Sequence, residues 1–432
     1  MINTSQAFKE CLKNDERNYS YLADVTLHDG RKLNLTEKDM WGGFRIEDAV
    51  SADDELQIGS AIINKFTFVL NNMYDAFSEY DFADAQVQAA ISLKLPNGTS
   101  EKILKGIFTV DNQHNDTDLL TLECLDNMAK FDRPYSESKL VYPATRGAII
   151  RDACSCCGVV LSTVTFDGSN EIVSKRPEDQ ALTFRQVIAW IAQLSCKWAR
   201  CNTLGQLELG WYDTDTLMAD VPTPGKYHNI EALSTLPVLA DDDVVITGIR
   251  VVTEDADGNF VDHLFGTEGY ILEISGNELI QPEEGDTIAA QLGALIGLKF
   301  RPMELSTLDD PSREAGDIFF LTDDKGRQYR GLLTKVVFNA DDYQSISCGA
   351  EPPAQHNSVR YSETTRTYVA LRKLIKQEKT DRELAIENLN KVLENSSGLY
   401  PTYEEQPDGS TITYFHDKPT LAESKNVIKI TA

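Results

Sequence analysis

At 432 residues the chain is long enough for about three domains of roughly 100–200 residues each. Hydrophobic residues at 41% and charged residues at 25% suit a folded water-soluble protein, and no run approaches the roughly 18 apolar residues of a membrane-spanning helix. A net charge of −27 excludes a basic nucleic-acid footprint, and the polar start MINTSQAFKECLKNDERNYS lacks the apolar segment of a secretory leader, which implies a cytosolic start. The charge is uneven: residues 361–432 hold 10 Lys/Arg and 11 Asp/Glu, so −26 belongs to residues 1–360. Such an excess serves solubility, or makes a surface that a passing polyanion does not stick to.

In chain order, residues 19–133 read as strands. YLADVTL and RKLNLT flank the tight-turn signal His28-Asp29-Gly30, and FRIEDAV and AIINKFTFVL follow. VQAAISLKL meets KILKGIFTV across Pro96-Asn97-Gly98, and LLTLECLD closes the region. Short strands at near-regular spacing predict a barrel or sandwich, giving a first β-barrel-like domain at 1–135. An α/β insert is expected at 136–220. There Thr145 caps GAIIRDACSCC, which stops at Gly158, and Thr183 with Gln186 forms a capping box. That box opens a helix whose stripe runs through Val187, Ile191, Leu194 and Trp198, followed by the strand pair KWARC and QLELGW. After a connector at 216–242, VVITGIRVV resumes the strands. IAAQLGALIGLKF reads as a helix with Ile288, Leu292 and Leu295 on one face. DIFFLTD pairs with RQYRGLLTKVVF across Asp324-Lys325-Gly326, and YQSISCGAE ends a second β-barrel-like domain at 221–352.

Residues 361–396 contain no Pro or Gly and read as one helix, roughly 50 Å long at 1.5 Å per residue. Its apolar positions recur near a 3.5-residue spacing, at Tyr368, Leu371 and Ile375 and again at Ala385, Leu389 and Val392, with Glu378 and Arg382 in the same seam. So narrow a stripe is best buried against copies of itself, which predicts an oligomeric coiled-coil stalk. A β-hairpin tail is expected at 397–432, where GLYPTYEEQ and STITYFHD flank Pro407-Asp408-Gly409 and AESKNVIKITA follows. The last strand ends abruptly, so the native chain is expected to continue past Ala432. The fold class is therefore α+β and β-rich: two barrel-like domains with an α/β insert, a long coiled-coil helix and a small β tail.

Chemistry-bearing motifs are scarce. Eight cysteines stand at 11, 124, 154, 156, 157, 196, 201 and 348, and only Cys196-x4-Cys201 approaches a zinc-knuckle spacing. In a cytosolic chain of this size they read as reduced, buried side chains. The six histidines form no H-E-x-x-H, and neither a G-x-S-x-G elbow nor a Walker loop occurs. Cys–His catalysis needs partners that meet only in space, but cysteines crowded into an apolar helix argue against it. The loop from Asp255 to Asn259 has its Gly fourth, and the twelfth position is Gly266, so it reads as a hairpin turn and not a calcium loop. Acidic neighbours such as Asp53-Asp54, Asp309-Asp310 and Asp341-Asp342 read as solvated loops, and Trp190, Trp198 and Trp211 as core. No catalytic, cofactor or metal residue is expected, and no enzyme.

The final segment resembles the tail-tip proteins of phages and prophages of Gram-positive bacteria. The motifs are Gly-Leu-Tyr at 398–400, Gly-Ser-Thr at 409–411 and His-Asp-Lys-Pro-Thr-Leu-Ala-Glu-Ser at 416–424. In the body, GSAIINKFTFVLNN, GIFTVDNQ, LLTLECLDNMAKFDRPY and TFRQVIAWIAQLS are similar to the hub part of tail-associated baseplate proteins. The resemblance implies a homotrimeric structural hub at the virion tail tip, assembled in the bacterial host cytoplasm, whose paired β domains make a pseudo-sixfold ring. It implies as partners a distal-tail or tail-tube ring protein, a tape-measure protein and a downstream fibre or receptor-binding protein, with DNA passing through unbound. A tail-associated cell-wall hydrolase or a host-surface carbohydrate-binding adhesin are the alternatives. Lytic activity is not carried over, because no peptidase or muramidase segment is present in these residues.

Overall fold

The computed structural model describes residues 1–350, apart from 15, 53, 178, 180, 232–237, 240–241, 256–258, 324 and 341, together with three C-terminal strands. The chain divides into two compact units, 1–360 and 361–432.

The first unit begins with helix α1 (Gln6–Cys11), capped by the Ser5 hydroxyl. Seven strands follow: β1 (Tyr19–Thr26), β2 (Lys32–Thr36), β3 (Arg45–Ala49), β4 (Lys65–Asn71), β5 (Gln86–Lys94), β6 (Ser100–Asp116) and β7 (Leu119–Asp126). The two expected tight turns join β1 to β2 and β5 to β6. Gly30 and Gly98 take φ of 86° and 85° there, a conformation that side chains resist. Period-two patterning sets which face is buried. In β4, Phe66, Phe68 and Leu70 point inward and meet Phe44, Phe108 and Leu122. Each such side chain contributes about 1.5–3 kcal/mol by leaving water.

The insert holds β8 (Ala144–Thr145), α2 (Arg146–Cys157), β9 (Ile172–Val173), α3 (Phe184–Leu194), β10 (Trp198–Cys201), β11 (Leu207–Gly210) and α4 (Thr214–Met218). Thr145 caps α2, and Gly158 ends it in the left-handed region at φ 67°. The Thr183–Gln186 capping box is formed. The expected helical stripe stops short, because the chain turns at Cys196 (φ 54°) and Trp198 belongs to β10.

Beyond lie β12 (His228–Glu231), β13 (Val238–Leu239), β14 (Val244–Glu254), β15 (Phe260–Gly266), β16 (Tyr270–Ser275) and α5 (Gly285–Gln291). Then come β17 (Lys299–Phe300), β18 (Met303–Thr307), β19 (Ile318–Thr322), β20 (Gln328–Leu332), β21 (Lys335–Asn339) and β22 (Gln344–Cys348). RQYRGLLTKVVF is thus two strands. It breaks at Leu333-Thr334, where the buried Thr334 hydroxyl donates to the carbonyl oxygens of Asp54 and Ser347.

Strand pairing corrects the expectation of two barrel-like domains. One 11-stranded sheet runs β13-β18-β22-β21-β3-β4-β7-β6-β5-β1-β2, and no sheet among the described residues closes on itself. The physical reason is the use of β3: the edge that closure would need is taken by β21, antiparallel, with Phe338 opposite Ile46 and Val336 opposite Asp48. Phe338 then packs into the first region's core against Tyr19 and Tyr21. A second apolar cluster joins Val50 and Ile58 to Ile149 and Ile188 of the insert and to Ile246, Leu292 and Cys348.

The second unit contains a three-stranded antiparallel sheet, β23 (Tyr400–Glu405), β24 (Thr411–His416) and β25 (Val427–Thr431), with β24 central. The expected helix at 361–396 lies outside the described residues.

Candidate functional site

The eight seam positions Tyr368, Leu371, Ile375, Glu378, Arg382, Ala385, Leu389 and Val392 lie outside the described residues. Among the described residues, no group of three or more His, Cys, Asp or Glu is placed to hold a metal. All eight cysteines are free. Burial pushes the Cys154 thiol up to about 12 and those of Cys157 and Cys196 up to about 11, so each stays protonated and a poor nucleophile at neutral pH. Asp255 closes its own turn, its backbone N–H donating to the Asn259 carbonyl at 2.9 Å and its carboxylate accepting from the Asn259 N–H at 2.8 Å.

One buried polar constellation among the described residues is one that the sequence did not announce. Arg200, in β10 and 7% exposed, donates from Nε to Glu208 at 2.7 Å and from Nη1 to the Ala315 carbonyl at 2.5 Å. Glu314 stands 3.5 Å from its Nη2 and Asp48, on β3, 3.9 Å from its Nη1. Its guanidinium also lies over the Trp198 ring at 5.0 Å. Burial works against its charge, but the three carboxylates outweigh burial and raise its pKa further. Asp48 in turn accepts from the Ala315 N–H at 2.8 Å and from Asn64 Nδ2 at 3.1 Å.

A second cluster continues along the same 308–317 loop. The Met1 amine sits 2.5 Å from Asp317, whose other oxygen is 2.9 Å from His228 Nε2. Burial pushes Asp317 up, but the His228 hydrogen bond and the Met1 amine hold it down at about 2. Arg313, fully enclosed, donates to Gln344 Oε1 at 2.6 Å and Thr307 Oγ1 at 2.5 Å. Tyr19 donates to the Asp309 carbonyl at 2.7 Å, and Lys105 donates to the carbonyls of Pro311 and Arg313 at 2.9 and 3.1 Å. The loop before β19 is therefore tied to α1's flanks, to β1, β3 and β6, and to the insert. The arrangement is a joint, and chemically it locks three parts of the chain into one body.

Beside the joint is a small cavity of about 20 Å³, walled in part by Asp48, Asn64, Lys105, Asp126, Arg200 and Glu314. That is room for one water. Asp126 accepts from the Met128 N–H through Oδ1, while its buried Oδ2 has no partner. Burial pushes this carboxyl up to about 8. Below its ordinary value of 3.8 both folded and unfolded chains hold the proton, so stability falls as pH rises from about 4 to about 8 and then levels. Asp126→Asn removes that ionisation while keeping the cap oxygen. The wild-type melting temperature is expected to fall between pH 6 and pH 9 relative to the variant's. Parallel curves would show that Asp126 is ionised and solvated at neutral pH.

A hydroxyl–imidazole–carboxylate chain also exists. Thr253 Oγ1 lies 2.9 Å from His263 Nε2, and His263 Nδ1 lies 3.0 Å from Asp286 Oδ1. A nucleophile needs access to substrate, and Thr253 is only 5% exposed. The His263 ring lies directly over Gly285, where a Cβ would approach it to 2.2 Å. These contacts clamp β14, β15 and α5 together.

No family model matches the chain, and no curated protein matches it in sequence. Among solved structures it is similar to a tail protein from Neisseria meningitidis MC58, at 11% identity and a TM-score of 0.49, over 78% of this chain and 98% of that one. It is also similar to the 43 kDa tail protein of prophage MuSo2 from Shewanella oneidensis, at 13% identity and a TM-score of 0.43, over 76% of this chain and 97% of that one. A Francisella PdpA–VgrG complex is similar at 10% identity and a TM-score of 0.43, over 78% of this chain and 60% of that one.

Proposed function

We propose that the chain is a structural hub of a phage or phage-like tail tip or baseplate, acting as a trimer that closes or extends the tail tube and links it to distal host-recognition parts. The observation that carries this reading is the single sheet through both β regions, sealed by the β3–β21 pairing and by the Arg200 joint. A hub transmits force between rings and needs a body whose halves do not shear, and buried charge networks have two-sided geometry that sliding would break. The motifs at 398–424 support the same family, and the proposal of a Gram-positive host rests on them alone.

In this reading residues 1–135, 136–220 and 221–352 act as first β region, insert and second β region, 361–396 as the coiled-coil stalk and 397–432 as the β tail. The partners are the distal-tail or tail-tube ring above, the tape-measure protein, and a fibre or receptor-binding protein below. The −26 of residues 1–360 faces, in part, a lumen through which DNA passes unbound, since like charges repel. The protein works without catalysis. Light scattering of the full chain tests the core of the proposal: three times the 48.2 kDa protomer mass is expected. A monomer at every concentration, or turnover of purified cell wall by this chain, would sink it.

A further inference from the structure

Two features of the first unit are complementary and neither is used in the joint. The first is the loop between β4 and β5. Tyr74 is 92% exposed at its tip, with Met73 beside it at 42%. Tyr74 (φ 60°, ψ 30°) and Asp75 (φ 55°) are consecutive non-glycine residues in the left-handed region, which ordinary side chains avoid. The loop holds them there by bracing. The Asn72 N–H donates to the Asp118 carbonyl at 2.7 Å, and its side chain accepts from the Phe77 N–H at 2.9 Å. Phe77, Tyr80 and Phe82 pack against one another as tilted rings at centroid distances of 6.3 Å, and Arg31 covers Tyr80 at 5.1 Å. The same loop carries exposed Asp75, Glu79, Asp81 and Asp84, an acidic collar in sequence about an exposed aromatic knob.

The second feature is a cleft of about 380 Å³ between β17 and β20, with Met218, Phe300 and Tyr329 in its wall and Lys299, Arg301 and Arg330 around it. Arg301 lies over the Tyr329 ring at 5.2 Å and is steadied by Asp243 at 2.6 Å, as is Lys299 at 2.8 Å. Arg330 is fixed by the Leu217 carbonyl at 2.6 Å. Asp243 also lines the cleft, so its three cations and one carboxylate leave an excess of positive charge there in a chain of net charge −27.

We propose that Tyr74 of one copy of this chain seats in the Phe300–Tyr329 cleft of the next, its acidic collar against the Lys299, Arg301 and Arg330 rim. Knob and cleft are different patches, so the contact is heterologous, and heterologous contacts close into rings when the rotation allows. Desolvated Tyr and Arg are the side chains that dominate such contacts. The inference rests on the trimeric hub reading and supplies the contact by which first and second β regions would alternate around the ring.

The test places the photo-reactive residue p-benzoylphenylalanine at position 74 of the full chain and maps its adducts by mass spectrometry. Adducts on a second copy, in peptides carrying Met218, Lys299 or Tyr329, are expected. In parallel, Tyr74→Ala and Lys299→Glu, both at exposed positions, should each raise the concentration at which the oligomer dissociates by at least tenfold, Tyr74→Ala with an unchanged melting temperature. Adducts on residues 351–432 or within the same copy overturn the contact, as does a wild-type trimer whose dissociation neither change moves. In both cases the hub reading stands. A wild-type chain that is monomeric throughout overturns both.

Discussion

Arg200→Ala should destabilise the first unit by about 3–5 kcal/mol, the cost of removing one partner from a buried charge cluster. The side chains left behind are poorly hydrated: those of Asp48 and Glu314 are 16% and 11% exposed, and that of Glu208 is 23%. The Ala315 carbonyl also loses its donor. Because Arg200 stands in β10, Asp48 in β3 and Glu314 before β19, the loss falls on the joint and not on one element. Urea denaturation followed by tryptophan fluorescence reads it directly, since Trp198 lies under the guanidinium. The midpoint should drop with the m-value preserved, the signature of changed stability without changed compactness. Arg200→Met paired with Glu208→Gln should recover part of the loss, because it removes charge on both sides. A shift below about 1 kcal/mol would mean that the cluster is wet, in the range of surface ion pairs.

The joint also shows where sequence reasoning stops. What is local was legible. Asp29-Gly30 and Asn97-Gly98 turn the chain within two residues, and Thr183 with Gln186 and the terminal Gly158 bound their helices through contacts no more than a turn away. What is not local was hidden. FRIEDAV and KVVF each read as a half-buried strand, but nothing in their alternation says that β3 and β21 pair, and that pairing turns two expected barrels into one open sheet. The pair Asp309-Asp310 looked solvated because adjacent acids usually are. Its burial depends on Arg313, three residues further on, and on His228 and Gln344 arriving from elsewhere. Thr253, His263 and Asp286 sit on three elements with no motif spacing. The Trp198 error has a different cause. Positions 187, 191, 194 and 198 keep helical spacing by coincidence after the helix has ended, and the left-handed Cys196 is invisible to periodicity.

Ile375→Asp is the change expected to affect assembly most. In the proposed stalk Ile375 closes the first apolar patch, after Tyr368 and Leu371, immediately before the polar seam positions Glu378 and Arg382. Polar seam residues set register and strand number at a cost in stability, so the two apolar patches carry the association. Symmetry multiplies the substitution. Each chain loses the burial of one isoleucine, about 1.5–3 kcal/mol, and three carboxylates meet at the axis where like charges repel. The dissociation concentration should rise by at least about a hundredfold, since 1.4 kcal/mol is already tenfold. Glu387→Gln, off the seam in the second patch, should leave it unchanged and so controls for general effects on the helix. Light scattering on a dilution series of all three chains separates the outcomes. If Ile375→Asp dissociates with the wild type, the proposed 361–396 stalk does not hold the copies together, and the proposed threefold symmetry must come from contacts in the body. If it dissociates early while heads still associate weakly, the stalk sets the symmetry and head-to-head contacts add to it. That division of labour is the one expected, because a narrow apolar stripe interrupted by charge is marginal alone.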